Sequence, residues 1–157
     1  MADLNDMIRE YLAGPAALRQ AISGLTAEQA KARPVAGKWS VLEVVAHIAD
    51  FEPILAARMK RMIALEKPVL MGADENLFVA KLAYQDRDLE EELRLIEVVR
   101  AEMARILSKQ DATVLARVGI HSERGERTLE QMLQGAINHI PHHVAFIHEK
   151  RKALGLA

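Results

Sequence analysis

Four stretches of this chain, residues 3–23, 40–65, 88–108 and 128–153, return an apolar side chain every three or four positions. That is the period of an amphipathic helix and not of a strand. The cleanest is 88–108, where Leu89, Leu93, Ile96, Val99, Met103 and Ile106 are set against Glu90, Arg94, Glu97 and Arg105. Four such helices bury their stripes most economically against one another, so the expected fold is all-α, a four-helix bundle. Start signals support the boundaries. Asp3 is a candidate N-cap, and Ser40 with Glu43 and Thr128 with Gln131 read as capping boxes. Thr26 with Gln29 opens a short helical turn that Arg33–Pro34 stops. Prolines punctuate the long helices: Gly14–Pro15 predicts a break or kink, Pro53 a bend, and Pro141 a freed carbonyl at Ile137.

The connections are less regular. Residues 66–76 read as a loop and 76–83 as a short helix, while 111–127, with Gly119 and Gly125 and no helical stripe, read as a loop or small extended excursion. The longer links follow the second and third long helices, which argues against a plain series of hairpins. With 157 residues and no repeat or linker-like tract, residues 1–157 are expected to form a single domain. A net charge of -1, with basic residues scattered among acidic ones, offers no field for nucleic acid or an anionic membrane. The chain has no cysteine, which removes disulfides, thiolate ligands and cysteine nucleophiles. The opening MADLNDMIREYL carries acids and no apolar signal core, so a cytoplasmic location is expected.

One run stands apart. From Gln131 to His148 there is no Asp, Glu, Lys or Arg, yet it holds His139, His142, His143 and His148, four of the six histidines. Its Gln, Asn, His and Pro make it a poor membrane span, so it reads as a buried, central helix of the bundle. His139 and His143 stand about 40° apart on one helical face, His142 about 60° to the other side of His139, and His148 about 180° from His139, toward the surface. A pair at i, i+4 presents two imidazole nitrogens to one point. Buried imidazoles need partners on both ring nitrogens: a metal can supply one, and a carboxylate or carbonyl the other. His47, at the edge of the second helix's stripe, is a core histidine if taken alone and a third ligand if taken with the pair. His121, beside Ser122 and Glu123, is expected in solvent, reaching the site only if the loop folds over it. The alternative is a polar seam of histidines in the core.

These residues carry a resemblance. GKWSVLEVVAHIADFE (37–52) together with HSERGERTLEQMLQGAINHIPHH (121–143) resembles the DinB/YfiT-like family of metal-binding four-helix bundles. That family has W-S-x-x-E-x-x-x-H at the start of its second helix and H-x-x-x-H in its last, here Trp39, Ser40, Glu43, His47, His139 and His143. The resemblance implies an up-down-down-up bundle, a homodimer, and a divalent metal (nickel, zinc, manganese or iron) on His47, His139 and His143. It also implies a small-molecule substrate and a low-molecular-weight thiol cosubstrate, since characterised relatives include thiol-dependent transferases and isomerases. Phe146 stands where many relatives have a glutamine.

Three neutral ligands would leave positions open on the metal, the mark of a catalytic site. Glu43 and Asp50, near His47 on its helix, are candidate general bases, although Glu43 reads first as a helix cap and Asp50 either orients His47 or faces solvent. Trp39 is expected to anchor packing. Arg117, Arg124 and Arg127 either bind an anionic cosubstrate or lie in a solvated loop. Three readings follow in order: a thiol-dependent transferase or isomerase, with metal-dependent hydrolysis as its variant; a non-catalytic metal-binding or ligand-sensing bundle; and a helical interaction module with a vestigial site.

Overall fold

The computed structural model describes residues 2–157. Its four long helices are α1 (Leu4–Ile22), α3 (Val41–Ala64), α5 (Leu89–Leu107) and α6 (Leu129–Ala153), with short helices α2 (Ala27–Lys31) and α4 (Glu75–Lys81) between them. The expected N-caps are present. The Asp3 carboxylate accepts from Asn5 and Asp6, and Thr26, Ser40 and Thr128 each form the reciprocal capping box with the Gln or Glu three residues on. Between α5 and α6 the chain makes a 3-10 turn (Ala112–Ala116) and a hairpin of β2 (Val118–His121) and β3 (Gly125–Thr128). β1 (Val69–Leu70), inside the stretch expected to be loop, adds to that hairpin parallel to β2. Gly119 sits close under β1, where a Cβ would fall 2.7 Å from Leu70 Cδ1 and 3.1 Å from Met62 Cγ.

Helix α1 lies against α5 and α6, and α3 against the same two, so α1 sits diagonally across from α3 and α5 diagonally across from α6. Side-chain pairs give the directions. Arg19 meets Glu90 and Arg100 meets the Tyr11 carbonyl, so α1 and α5 are antiparallel. Glu52 pairs with Arg100 and Lys60 with Glu102, which makes α3 and α5 parallel. Arg151 donates to the Ser23 carbonyl while Arg100 bridges Tyr11 and Ala136, so α1 and α6 are parallel. Helix α3 therefore runs antiparallel to α6, and the bundle is up-down-down-up. Among the described residues no helix is long and apolar enough to cross a membrane.

Two sequence expectations fail for physical reasons. Gly14–Pro15 does not break α1, which runs through it unbroken. Pro15 lacks the N–H that would bond the Tyr11 carbonyl, and that carbonyl instead accepts from Arg100 Nη1 at 2.7 Å. Gly14 makes the room, because a Cβ there would stand 2.5 Å from the same Nη1. The pair is a socket for a fully buried arginine. That arginine also donates to Glu52 Oε1, from Nε at 3.0 Å and Nη2 at 2.6 Å, and to the Ala136 carbonyl at 2.7 Å. Four helices meet at this knot, at the level between two apolar clusters, one including Tyr11, Met59 and Met103 and the other Leu18, Val45 and Ile96.

The second failure concerns α6. Its charge-free run is not buried all round: Leu133, Ala136, Ile137, Ile140, His143 and Ile147 are buried, while Gln134, Asn138, Pro141 and Ala145 are exposed. The absence of charge therefore does not reflect a central position. Part of the helix faces a cavity instead.

Candidate metal centre

His47 lies in the middle of α3 and is 1 % exposed, while His139 and His143 lie opposite it on α6. Because α3 and α6 are antiparallel and the α6 pair is one turn apart, all three rings turn inward at the same height. His47 Nε2 stands 3.1 Å from His139 Nε2 and 3.1 Å from His143 Nε2. Nitrogen donors about 2.0–2.1 Å from one ion, at angles between octahedral and tetrahedral, stand roughly 2.8–3.4 Å apart. The spacing fits a shared divalent metal. Trp39 and Phe51 hold the His47 ring from either side, with ring centres 5.3 and 4.7 Å away. Pro141, exposed between the two α6 ligands, does not spoil their convergence.

Electrostatics favour the ligating form. Burial, then the charge of neighbouring imidazoles, pulls His47 down to about 4 and His139 and His143 each to about 3, with Asp50 weakly opposing at His47. All three are neutral at physiological pH, as metal ligands must be. The expected second partners do not appear: the Nδ1 atoms of all three are buried and bond to no carboxylate or carbonyl. Three mutually close Nε2 atoms that meet only one another and bond to no carbonyl or carboxylate are the chemistry of a metal-binding cluster more than of a packing seam.

The histidines open onto a cavity of about 1090 Å³. Along α3 its wall is Val44, His47, Phe51, Leu55 and Arg58, and along α6 it includes Gly135, His139, His142, Phe146 and Lys150. Neither proposed general base reaches it. The Glu43 carboxylate accepts from Arg33 at 2.7 and 3.1 Å and from the Ser40 amide at 2.9 Å, so it is a cap. Asp50 is held by both Arg87 Nη atoms at 2.5 and 2.9 Å. The carboxylate that does reach the site is Glu75, on the first turn of α4, with Oε2 3.7 Å from His47 Nε2. Sequence reasoning missed it because Glu75 sits in a connection with no motif, and only the folding back of α4 onto α3 brings it near.

Of the loop arginines, Arg124 and Arg127 line the cavity. Arg117 does not: it donates to the Met62 and Leu65 carbonyls and so caps the end of α3. His121, expected in solvent, is 5 % exposed and lines the cavity, its Nδ1 accepting from the Glu123 amide at 3.2 Å. The hairpin folds over the site and carries His121 with it. His142 is at the cavity rim and His148 is exposed, as expected. Trp39 both packs against the apolar cluster and lines the cavity.

Comparison with known proteins agrees with this geometry. The sequence profile of the DinB superfamily matches residues 10–147. The chain is 28% identical over 144 residues to a protein of Oceanobacillus iheyensis named "Putative metal-dependent hydrolase", covering 92% of this chain and 83% of that one. It is 28% identical over 142 residues to the similarly named YfiT of Bacillus subtilis, covering 90% and 80%. The solved structure of Bacillus subtilis YfiT, described as a probable metal-dependent hydrolase with an unusual four-helix bundle topology, superposes with a TM-score of 0.90 at 25% identity over 98% of this chain and 89% of that one. The fold is also shared with a mycothiol-dependent maleylpyruvate isomerase, TM-score 0.71 at 13% identity, over 92% of this chain and 60% of that one.

Proposed function

Since the chain belongs to the DinB superfamily, with the YfiT bundle and three inward histidines, we propose that it is a divalent-metal-dependent enzyme that transfers a group to, or isomerises, a small molecule with the help of a low-molecular-weight thiol. The observation that carries this reading is the convergence of His47, His139 and His143 Nε2 at the floor of an open cavity. A metal bound there supplies Lewis-acid charge, which lowers the pKa of a thiol or water and polarises a substrate carbonyl. The chain's own residues supply the rest. Glu75 Oε2 is placed to accept the proton of the attacking nucleophile. Trp39, Phe51 and Phe146 form apolar walls that hold the substrate and limit water. With no cysteine in the chain, a thiol nucleophile must come from a cosubstrate.

A second reading is hydrolysis, with water as the nucleophile. It is favoured by Glu75 as a base beside the ligand cluster and by the names of the relatives. A homodimer in the cytoplasm completes the proposal, and the exposed, charge-free stripe of Gln134, Asn138, Pro141 and Ala145 on α6 is a surface suited to self-association.

Elemental analysis of chelator-free protein tests the premise. We expect about one metal per chain, lost in both His47→Ala and His139→Ala. Turnover of electrophilic small molecules by the loaded protein is then compared with and without a thiol: dependence on thiol supports transfer, and equal rates without it support hydrolysis. An inability to take up nickel, zinc, manganese or iron would sink the enzyme reading.

A further inference from the structure

Lys150 lies about two turns beyond His143 on α6, roughly 10 Å along the helix. Only 3 % of it is exposed, yet it lines the cavity. Among the described residues no hydrogen bond or ion pair holds its ammonium, which lies over the Phe146 ring with Nζ 5.9 Å from the centroid. Three charged groups surround it: Glu149, Lys38 and Glu43. None is a dedicated partner. The Glu43 carboxylate is bonded to Arg33 and the Ser40 amide. Glu149 is its chain neighbour, so it points about 100° around the helix. Lys38 repels it. Burial accordingly draws the Lys150 ammonium below the usual lysine range.

The Lys150 stem is buried while its ammonium, bonded to no carboxylate, faces the cavity, where a negative group on a ligand can reach it. The antiparallel course of α3 and α6 places Lys150, Lys38, Trp39 and Phe146 together at one end of the cavity, with the histidines further in. We propose that Lys150 is an anion-binding residue, taking an oxyanion group, carboxylate or phosphate, on the small-molecule substrate. Its relation to the reacting centre rests on the metal-enzyme reading above; anion binding by Lys150 does not.

The test uses Trp39, the one tryptophan of the chain and part of the cavity wall. Its fluorescence is followed while succinate or inorganic phosphate is titrated into wild type, Lys150→Met and Lys150→Arg. Each is measured metal-free and metal-loaded, with metal content determined on the same samples. We expect millimolar binding of at least one probe to wild type in both states. Lys150→Met should weaken it roughly tenfold or more, and Lys150→Arg should largely restore it, with metal content unchanged. Preference between the probes separates carboxylate from phosphate recognition. Equal binding by Lys150→Met, or binding of neither probe by wild type, overturns the proposal. Should Lys150→Met fail to fold, the Lys150 side-chain resonance next to the ammonium in labelled wild type must move as the probe saturates, and a resonance that stays still overturns it too. Loss of metal with anion binding intact would count against the enzyme reading alone.

Discussion

Helices α3 and α6 carry two buried polar centres, and the two are built in opposite ways. At the Arg100–Glu52 knot, charge meets charge. The guanidinium donates to Glu52 Oε1, the Tyr11 carbonyl and the Ala136 carbonyl, and the Tyr11 hydroxyl faces the Glu52 carboxylate. At the histidine cluster, three neutral rings turn their Nε2 atoms toward one point, and no Nδ1 has a partner. The first centre is closed by the chain itself and ties four helices. The second is not closed by the chain and opens on a cavity. Burial alone does not tell a structural polar group from a functional one. What tells them apart is whether the chain supplies the partner.

The contrast is broken hardest at the knot. Arg100→Ala leaves the Glu52 carboxylate buried without its counter-charge, and we expect a loss of about 3–5 kcal/mol in urea unfolding. A loss near that of an ordinary surface change would mean that the knot is not the clamp described here.

The cluster should respond to metal instead. At a free metal concentration near one hundred times Kd, the stability gain is about 2.7 kcal/mol, read as a rise in Tm that chelator reverses. His47→Ala should keep its metal-free fold and lose that rise.

Acid should find the same cluster. Stripped of metal, the native state holds His47 near 4 and His139 and His143 near 3, whereas unfolded histidine titrates near 6.5. The unfolded chain therefore binds more protons between those values. Stability is full above about pH 6.5 and falls as pH drops toward 4 and then 3. Unfolding free energies of wild type and His47→Ala across that window measure it: the variant should show the shallower slope.

The smallest effect sharpens the knot. Gly14→Ala would press a methyl to within 2.5 Å of Arg100 Nη1 and 3.0 Å of Ile140 Cδ1. We expect a cost of about 1–3 kcal/mol by thermal melting, with metal uptake unaffected.

Much of this molecule was legible in its sequence because the relevant signals are local. Periodicity and capping depend on neighbours within one turn, so the four long helices and their starts follow from residues such as Ser40, Glu43 and Thr128. The histidine cluster was legible for a similar reason, since His139 and His143 at i, i+4 must share a face, and the Trp39–His47 motif marked their partner. Tertiary structure alone decided what non-local contacts do. Gly14–Pro15 reads as a break until Arg100, from another helix, takes the Tyr11 carbonyl that Pro15 released. His121 and Arg117 look alike as loop residues, yet the hairpin's fold sends one into the cavity and the other to cap α3. Glu75 and Lys150 carry no local mark at all. Their positions at the cavity arise because a short helix folds back on α3 and because α3 and α6 run antiparallel, and the meeting of side chains far apart in sequence is set by packing rather than by any pattern within a few residues.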